Sequence, residues 1–86
     1  MNKIDKINQV LAEYFKKNSD VSIVPAKDLM KEFVAAGVFP SDSERPGLPI
    51  RKLLRELDSR NELGQIPYVW PVRKAQNTYW YFRPLT

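Results

Sequence analysis

The side chains of this sequence that could do chemistry are mostly cations, and several of them share one face of a predicted helix. At about 100° per residue, a helix beginning at Pro49 buries the apolar residues Ile50, Leu53, Leu54 and Leu57. Its outer face then carries Arg51, Lys52, Arg55 and Ser59. Arginine can donate two parallel hydrogen bonds to a phosphate or a guanine edge, and lysine neutralises phosphate as a point charge. This face favours an anionic partner, although an ordinary solvated helix face has a similar composition.

A second basic cluster lies at the tip of a predicted β-hairpin. The tip reads Arg73-Lys74-Ala75-Gln76-Asn77 and contains no acidic residue. Basic loop tips are common on soluble proteins, so these cations would indicate little by themselves. Two basic clusters on neighbouring elements favour a single binding footprint.

The composition excludes most catalytic and metal chemistry. The chain has no His and no Cys, so it lacks an imidazole base, a thiol nucleophile and the usual zinc ligands. Glu56 and Asp58 are two residues apart on the predicted helix and do not share a face. The three glycines are too scattered for a phosphate-binding loop. We therefore expect a protein that is not an enzyme and that uses no metal or cofactor.

Length and charge limit the possibilities further. With 86 residues the chain supports a single domain, residues 1–86. The net charge is +4, divided into −1 over residues 1–44 and +5 over residues 45–86, so an anionic partner is expected at the C-terminal half. The sequence has no apolar run long enough for a transmembrane helix and no signal peptide. Together with the lack of Cys, this predicts a cytoplasmic protein without membrane contact.

Hydrophobic spacing and turn residues predict the elements that position these cations. In chain order they are a helix over 3–17, a strand over 21–24, a helix from 25 or 26 to 36, a loop over 40–49, the helix from 49, and hairpin arms at 66–72 and 78–82. Gly37 is expected to cap the second helix. Pro67 and Pro71 indicate that the first arm has an edge position or a bulge. The predicted core contains Ile7, Leu11, Phe33, Leu53, Leu54, Leu57 and Trp80.

The second arm alternates between two sets of aromatic residues. Trp80 and Phe82 are expected to be buried, and Tyr79 and Tyr81 to be exposed. The exposed set has three open interpretations: it lies in a dimer interface, it stacks on single-stranded bases, or it is simply half exposed.

This order of elements resembles that of the winged-helix domains of the helix-turn-helix superfamily. The resemblance is carried by Leu53-Leu54-Arg55-Glu56-Leu57-Asp58 with Leu63 and Ile66, and by the return strand Tyr79-Trp80-Tyr81-Phe82. It extends over nearly the whole chain and lies in the order of the elements, not in a signature motif. The loop at 40–49 is longer than the tight turn of a simple helix-turn-helix. The resemblance implies an α+β, mainly helical fold: a three-helix winged-helix domain with a small antiparallel sheet and a C-terminal β-hairpin wing.

The resemblance also implies a function. In winged-helix domains the third helix commonly enters the major groove of duplex DNA, and the wing contacts the neighbouring backbone or minor groove. The implied DNA-binding residues are Arg51, Lys52, Arg55 and Ser59 on the helix, and Arg73, Lys74 and Gln76 on the wing. The alternative is a protein–protein interaction domain on the same fold, using the aromatic hairpin or the Pro-rich loop. A homodimer or a protein partner would then bind through Tyr79 and Tyr81.

Overall fold

The computed structural model describes residues 2–41 and 47–85. These residues form an α+β fold, about half helical, in which three α-helices pack with a three-stranded antiparallel sheet. The elements are α1 (Lys3–Lys17), β1 (Val24–Pro25), α2 (Met30–Ala35), α3 (Leu48–Ser59), β2 (Val69–Arg73) and β3 (Thr78–Phe82). Short 3₁₀ turns precede α2 at Ala26–Leu29 and β2 at Leu63–Gln65. No helix within the described ranges is long and apolar enough to cross a membrane.

Helix α1 has the predicted bounds because both of its ends carry local signals. Asn2 caps its first turn by accepting a hydrogen bond from the backbone N–H of Asp5 at 2.8 Å. Lys16 and Lys17 lie in its last turn, where cations favour the carbonyl end of the helix dipole. Its buried residues are Ile7, Leu11 and Phe15, of which Ile7 and Leu11 belong to the predicted core.

The second helix is divided, and it ends one residue earlier than predicted, at Ala35. Instead of one α-helix from residue 25 or 26 to 36, the chain forms the 3₁₀ turn Ala26–Leu29 and then α2. Gly37 has a φ of +79° and its N–H donates to Val34 O at 3.0 Å, while the N–H of Val38 donates to Phe33 O at 2.9 Å. This is a Schellman cap, which confirms the predicted role of Gly37.

Helix α3 begins one residue earlier than predicted. Gly47, with a φ of +77°, is its N-cap, and Pro49 is its second residue, where a missing N–H is tolerated. The helix ends in another Schellman cap around Asn61, whose φ is 60°. Within the Pro-rich loop predicted at 40–49, residues 42–46 lie outside the described residues.

The sheet has the order β1-β3-β2, with β3 in the centre and both pairings antiparallel. The predicted strand at 21–24 is wrong in extent: the pairing with β3 involves Val24 and Pro25, and the 3₁₀ turn Ala26–Leu29 then ends the strand. The first hairpin arm, predicted at 66–72, forms β2 three residues later because the turn at Leu63–Gln65 leads into it. The second arm has the predicted bounds.

Strand β2 is an edge strand, as its prolines predicted. The N–H of Arg83 donates to Tyr68 O at 2.8 Å, which makes residues 68 and 83 a hydrogen-bonded pair. Because such pairs alternate along an antiparallel ladder, Pro71 and its partner Trp80 form a pair without hydrogen bonds. The missing N–H of Pro71 therefore removes no hydrogen bond from the sheet.

The core lies between the helices and the inner face of the sheet. All predicted core residues are buried except Leu53, which is half-buried because it lies at the edge of the buried stripe of α3. Phe33 of α2 packs edge-to-face on Phe82 of β3, at a centroid distance of 6.0 Å, and so joins the helices to the sheet. It makes a second edge-to-face contact, at 6.2 Å, with Phe39 in the segment after α2. Trp80 and Phe82 are buried as predicted.

Candidate nucleic-acid interface

An open groove runs between α3 and the tip of the β2–β3 hairpin. Arg51 and Arg55 line it from α3, and Lys74 and Gln76 line it from the hairpin tip. Cations from the two basic clusters of the sequence are thus brought to one surface. We call this surface, together with Lys27, the basic groove.

Lys27 is the residue of the basic groove that the sequence did not indicate. It lies in the 3₁₀ turn before α2, is exposed, and lines the groove together with Arg51 and Arg55. In the sequence it stands 24 positions before Arg51, in the half of the chain whose net charge is −1.

A close backbone approach places Lys27 beside α3. Gly47 packs against Lys27 so tightly that a Cβ atom on Gly47 would overlap the Cβ of Lys27 and lie 2.7 Å from its Cα. Glycine is needed here both for this contact and for the positive φ. The side chain of Arg51 is held next to this contact, because its Nε donates a hydrogen bond to the Gly47 carbonyl at 3.3 Å.

Arg73 is held by a carboxylate. Its two terminal nitrogens donate to the two oxygens of Asp58 at 3.0 and 2.9 Å, a bidentate ion pair between β2 and α3. These hydrogen bonds hold the pKa of the Asp58 carboxyl below its usual range and raise the pKa of Arg73. Arg73 therefore joins the hairpin to α3, and its predicted contact with DNA stays a prediction.

Lys52 and Ser59 do not line the groove. They lie on the neighbouring exposed strip of α3, three residues before and four residues after Arg55. The Ser59 hydroxyl donates to Glu56 O at 2.7 Å, so its proton is used within the helix. Lys52, Arg55 and Ser59 form the side of α3 that faces away from the core.

An aromatic surface borders the basic groove. Tyr79 and Tyr81 line the groove and also lie on the outer face of the sheet, opposite to the buried side of β3. Tyr79 is 50% exposed, as predicted, while Tyr81 is half-buried. Trp70, 47% exposed, is paired with Tyr81, and the guanidinium of Arg83 lies 4.3 Å from the centroid of its ring. We call Trp70, Tyr79 and Tyr81 the aromatic face.

The chemistry available at this site is the binding of anions and of flat ring systems. Residues 2–41 and 47–85 contain no group of three or more Asp, Glu, His or Cys side chains arranged to hold a metal ion.

No family model, curated protein or solved structure matches the chain.

Proposed function

We propose that this chain is a winged-helix DNA-binding domain, with α3 in the major groove of duplex DNA and the β2–β3 hairpin as the wing. The observation that carries the proposal is the basic groove, in which Arg51 and Arg55 of α3 share one surface with Lys74 of the hairpin tip. The order of helices and strands along the chain supports it, since the resemblance to winged-helix domains rests on that order. The positive charge concentrated at the groove would attract a polyanion.

In this proposal α3 reads the bases with its exposed strip. Arg55 is central there, flanked by Lys52 and Ser59, and its guanidinium can donate two hydrogen bonds to a guanine. Ser59 acts as an acceptor, because its proton is donated to Glu56 O. Lys52 neutralises a phosphate at the edge of the groove.

The wing and the 3₁₀ turn hold the DNA backbone. Lys74 and Gln76 at the hairpin tip contact phosphate or sugar on one side of α3, and Lys27 contacts phosphate on the other margin of the groove. The Arg73–Asp58 pair keeps the hairpin at a set distance from α3. It also neutralises Asp58, a carboxylate that would otherwise repel phosphate.

The test is the salt dependence of duplex binding, measured by fluorescence anisotropy with a random-sequence duplex between about 50 and 200 mM salt. The expected phosphate or base contacts come from Lys27, Arg51, Lys52, Arg55 and Lys74. Each phosphate contact contributes about −0.9 to the slope of log affinity against log salt, so up to five contacts give a slope down to about −4.5.

Arg55→Ala is the informative variant. On the duplex sequence that the wild-type protein binds most tightly, Arg55→Ala should lose about 1–3 kcal/mol of the preference for the correct base at one position. Lys31→Ala is the control, since Lys31 is an exposed cation that lines a second groove between α1 and α2 and does not line the basic groove. If the wild-type protein does not bind duplex at low salt, or if Arg55→Ala and Lys31→Ala bind equally well, the proposal is wrong.

A further inference from the structure

We propose that the aromatic face binds the unpaired nucleotides of a DNA strand that leaves the duplex held in the basic groove. This inference rests on the proposed function and extends the binding surface from α3 and the wing to the outer face of the sheet. The preferred DNA is accordingly a junction between double-stranded and single-stranded segments.

The shape of the aromatic face suits flat ligands. In an antiparallel sheet, side chains of paired residues lie on the same face, so the Trp70–Tyr81 and Val72–Tyr79 pairs place two rows of apolar side chains on the outer surface. Pro25 of β1 extends the first row, because it pairs with Tyr81. Exposed rings on the face of a three-stranded sheet offer the stacking surfaces that unpaired bases bind.

The neighbouring charges identify the occupant. Tyr79 and Tyr81 line the same groove as Arg51, Arg55 and Lys74, so the aromatic face and the cations form one continuous surface. On the far side, the guanidinium of exposed Arg83 stacks on Trp70 and supplies another cation. Aromatic rings between cations match a ligand that alternates bases with phosphates.

A second copy of the chain fits this surface less well. A two-fold contact between two aromatic faces would bring the two basic grooves close together, with Arg51, Arg55 and Lys74 of each copy near those of the other. Like charges at an interface are unfavourable. The same argument applies to any basic protein partner.

The experiment measures the binding of the 86-residue chain to two DNA probes. One is a blunt random-sequence duplex, and the other is the same duplex with an oligothymidine overhang of about six nucleotides. We expect the overhang to lower Kd by at least about fivefold, because one stacked base accounts for such a factor. Tyr79→Ala should abolish this gain, measured as the ratio of that variant's Kd for the blunt duplex to its Kd for the overhang probe.

Two further variants serve as controls. Tyr79→Phe keeps the ring and should retain the gain from the overhang. Leu85→Ala removes another exposed apolar side chain, 59% exposed and outside the groove lining, and should also retain it. Loss of the gain in Leu85→Ala as well would show a general effect of surface hydrophobicity and overturn the inference.

The remaining outcomes separate this inference from the proposed function. If the wild-type protein binds both probes with equal Kd, the inference fails and the proposed function stands. If it binds neither probe, both fail. If sedimentation shows a dimer that Tyr79→Ala converts to a monomer, with no gain from the overhang, the aromatic face is an interface between copies and the inference is overturned.

Discussion

At the scale of single residues, Asp58 shows how a carboxylate can be useful on a basic surface. It lies in α3 and lines the basic groove, where an isolated negative charge would oppose DNA binding. Arg73 neutralises it with two hydrogen bonds and in doing so connects the hairpin to the helix. The pair is exposed to solvent, so its main effect is on the position of the hairpin rather than on global stability.

The pKa of Asp58 provides a direct test of this pair. Because hydrogen bonds from Arg73 lower the pKa of the Asp58 carboxyl, we expect Arg73→Gln to raise it toward its ordinary value. A carboxyl whose pKa is lowered by folding stabilises the protein above its unfolded pKa, and this contribution is lost as pH falls through the folded pKa. The stability difference between wild type and Arg73→Gln should therefore be present above about pH 4 and disappear in more acidic solution. Carbon-detected NMR titration of Asp58 measures the shift, and an unchanged midpoint would contradict it.

The two adjacent leucines of α3 give a second residue-scale prediction. Leu54 is completely buried, so Leu54→Ala should lower the free energy of unfolding by about 2–5 kcal/mol. Leu53 is half-buried, and Leu53→Ala should cost clearly less. Urea denaturation of both variants makes the comparison. Equal losses would place Leu53 in the core after all.

At the scale of elements, the start of α3 decides the geometry of the basic groove. Gly47 allows the helix to begin in direct contact with the 3₁₀ turn that carries Lys27. The groove therefore has one wall from α3 and another from residues far away in the sequence. A side chain at position 47 would push these walls apart.

The three glycines form a matched series for this contact. Gly64→Ala should be nearly neutral, because the residue has neither a positive φ nor a neighbour within 4 Å of an added Cβ. Gly37→Ala has open space but a φ of +79°, so it should cost about 1–2 kcal/mol for the left-handed backbone alone. Gly47→Ala adds steric overlap with Lys27 to the same backbone strain and should cost most. Thermal unfolding of the three variants should give this order, and a Gly47→Ala variant no less stable than Gly37→Ala would contradict the close contact.

At the scale of the whole molecule, the fold gathers positive charge that the sequence distributes unevenly. The N-terminal half is slightly acidic, yet it contributes Lys27 to the same surface as Arg51, Arg55 and Lys74 of the C-terminal half. A net charge of +4 is modest for a DNA-binding protein. Concentrating the cations on one side makes that charge more effective for a polyanion.

Lys27 therefore provides the prediction at this scale. If DNA occupies the basic groove, Lys27→Ala should make the slope of log affinity against log salt less steep by about 0.9, as Lys74→Ala should. Lys31→Ala removes the same charge four residues away. Both lysines line the second groove, but Lys27 alone of the two lines the basic groove, so Lys31→Ala should leave the slope unchanged. Anisotropy titrations over a range of salt concentrations measure all three. Equal effects of Lys27→Ala and Lys31→Ala would show that only net charge matters and that the groove is not the binding site.

Local patterns in the sequence were sufficient to predict most of the helices and strands and the cations that α3 contributes to the basic groove. The bounds of α1 and β3, the Gly37 cap, the edge position of β2 and the alternation of Trp80 with Tyr79 all follow from helix or strand periodicity and from capping and proline chemistry. The cations of α3 were found in the same way, because a helix of known buried face has a known outer face.

The tertiary structure alone decided which distant residues meet. The two-residue length of β1 depends on where the chain must turn to pack Ala26–Leu29 against α3. The place of Lys27 in the groove depends on its contact with Gly47, and the partner of Arg73 depends on the distance between the hairpin and α3. Periodicity reports the face of an element on which a residue lies. It contains no information about which other element will be packed beside that face, because that is set by the shape and volume of the whole core.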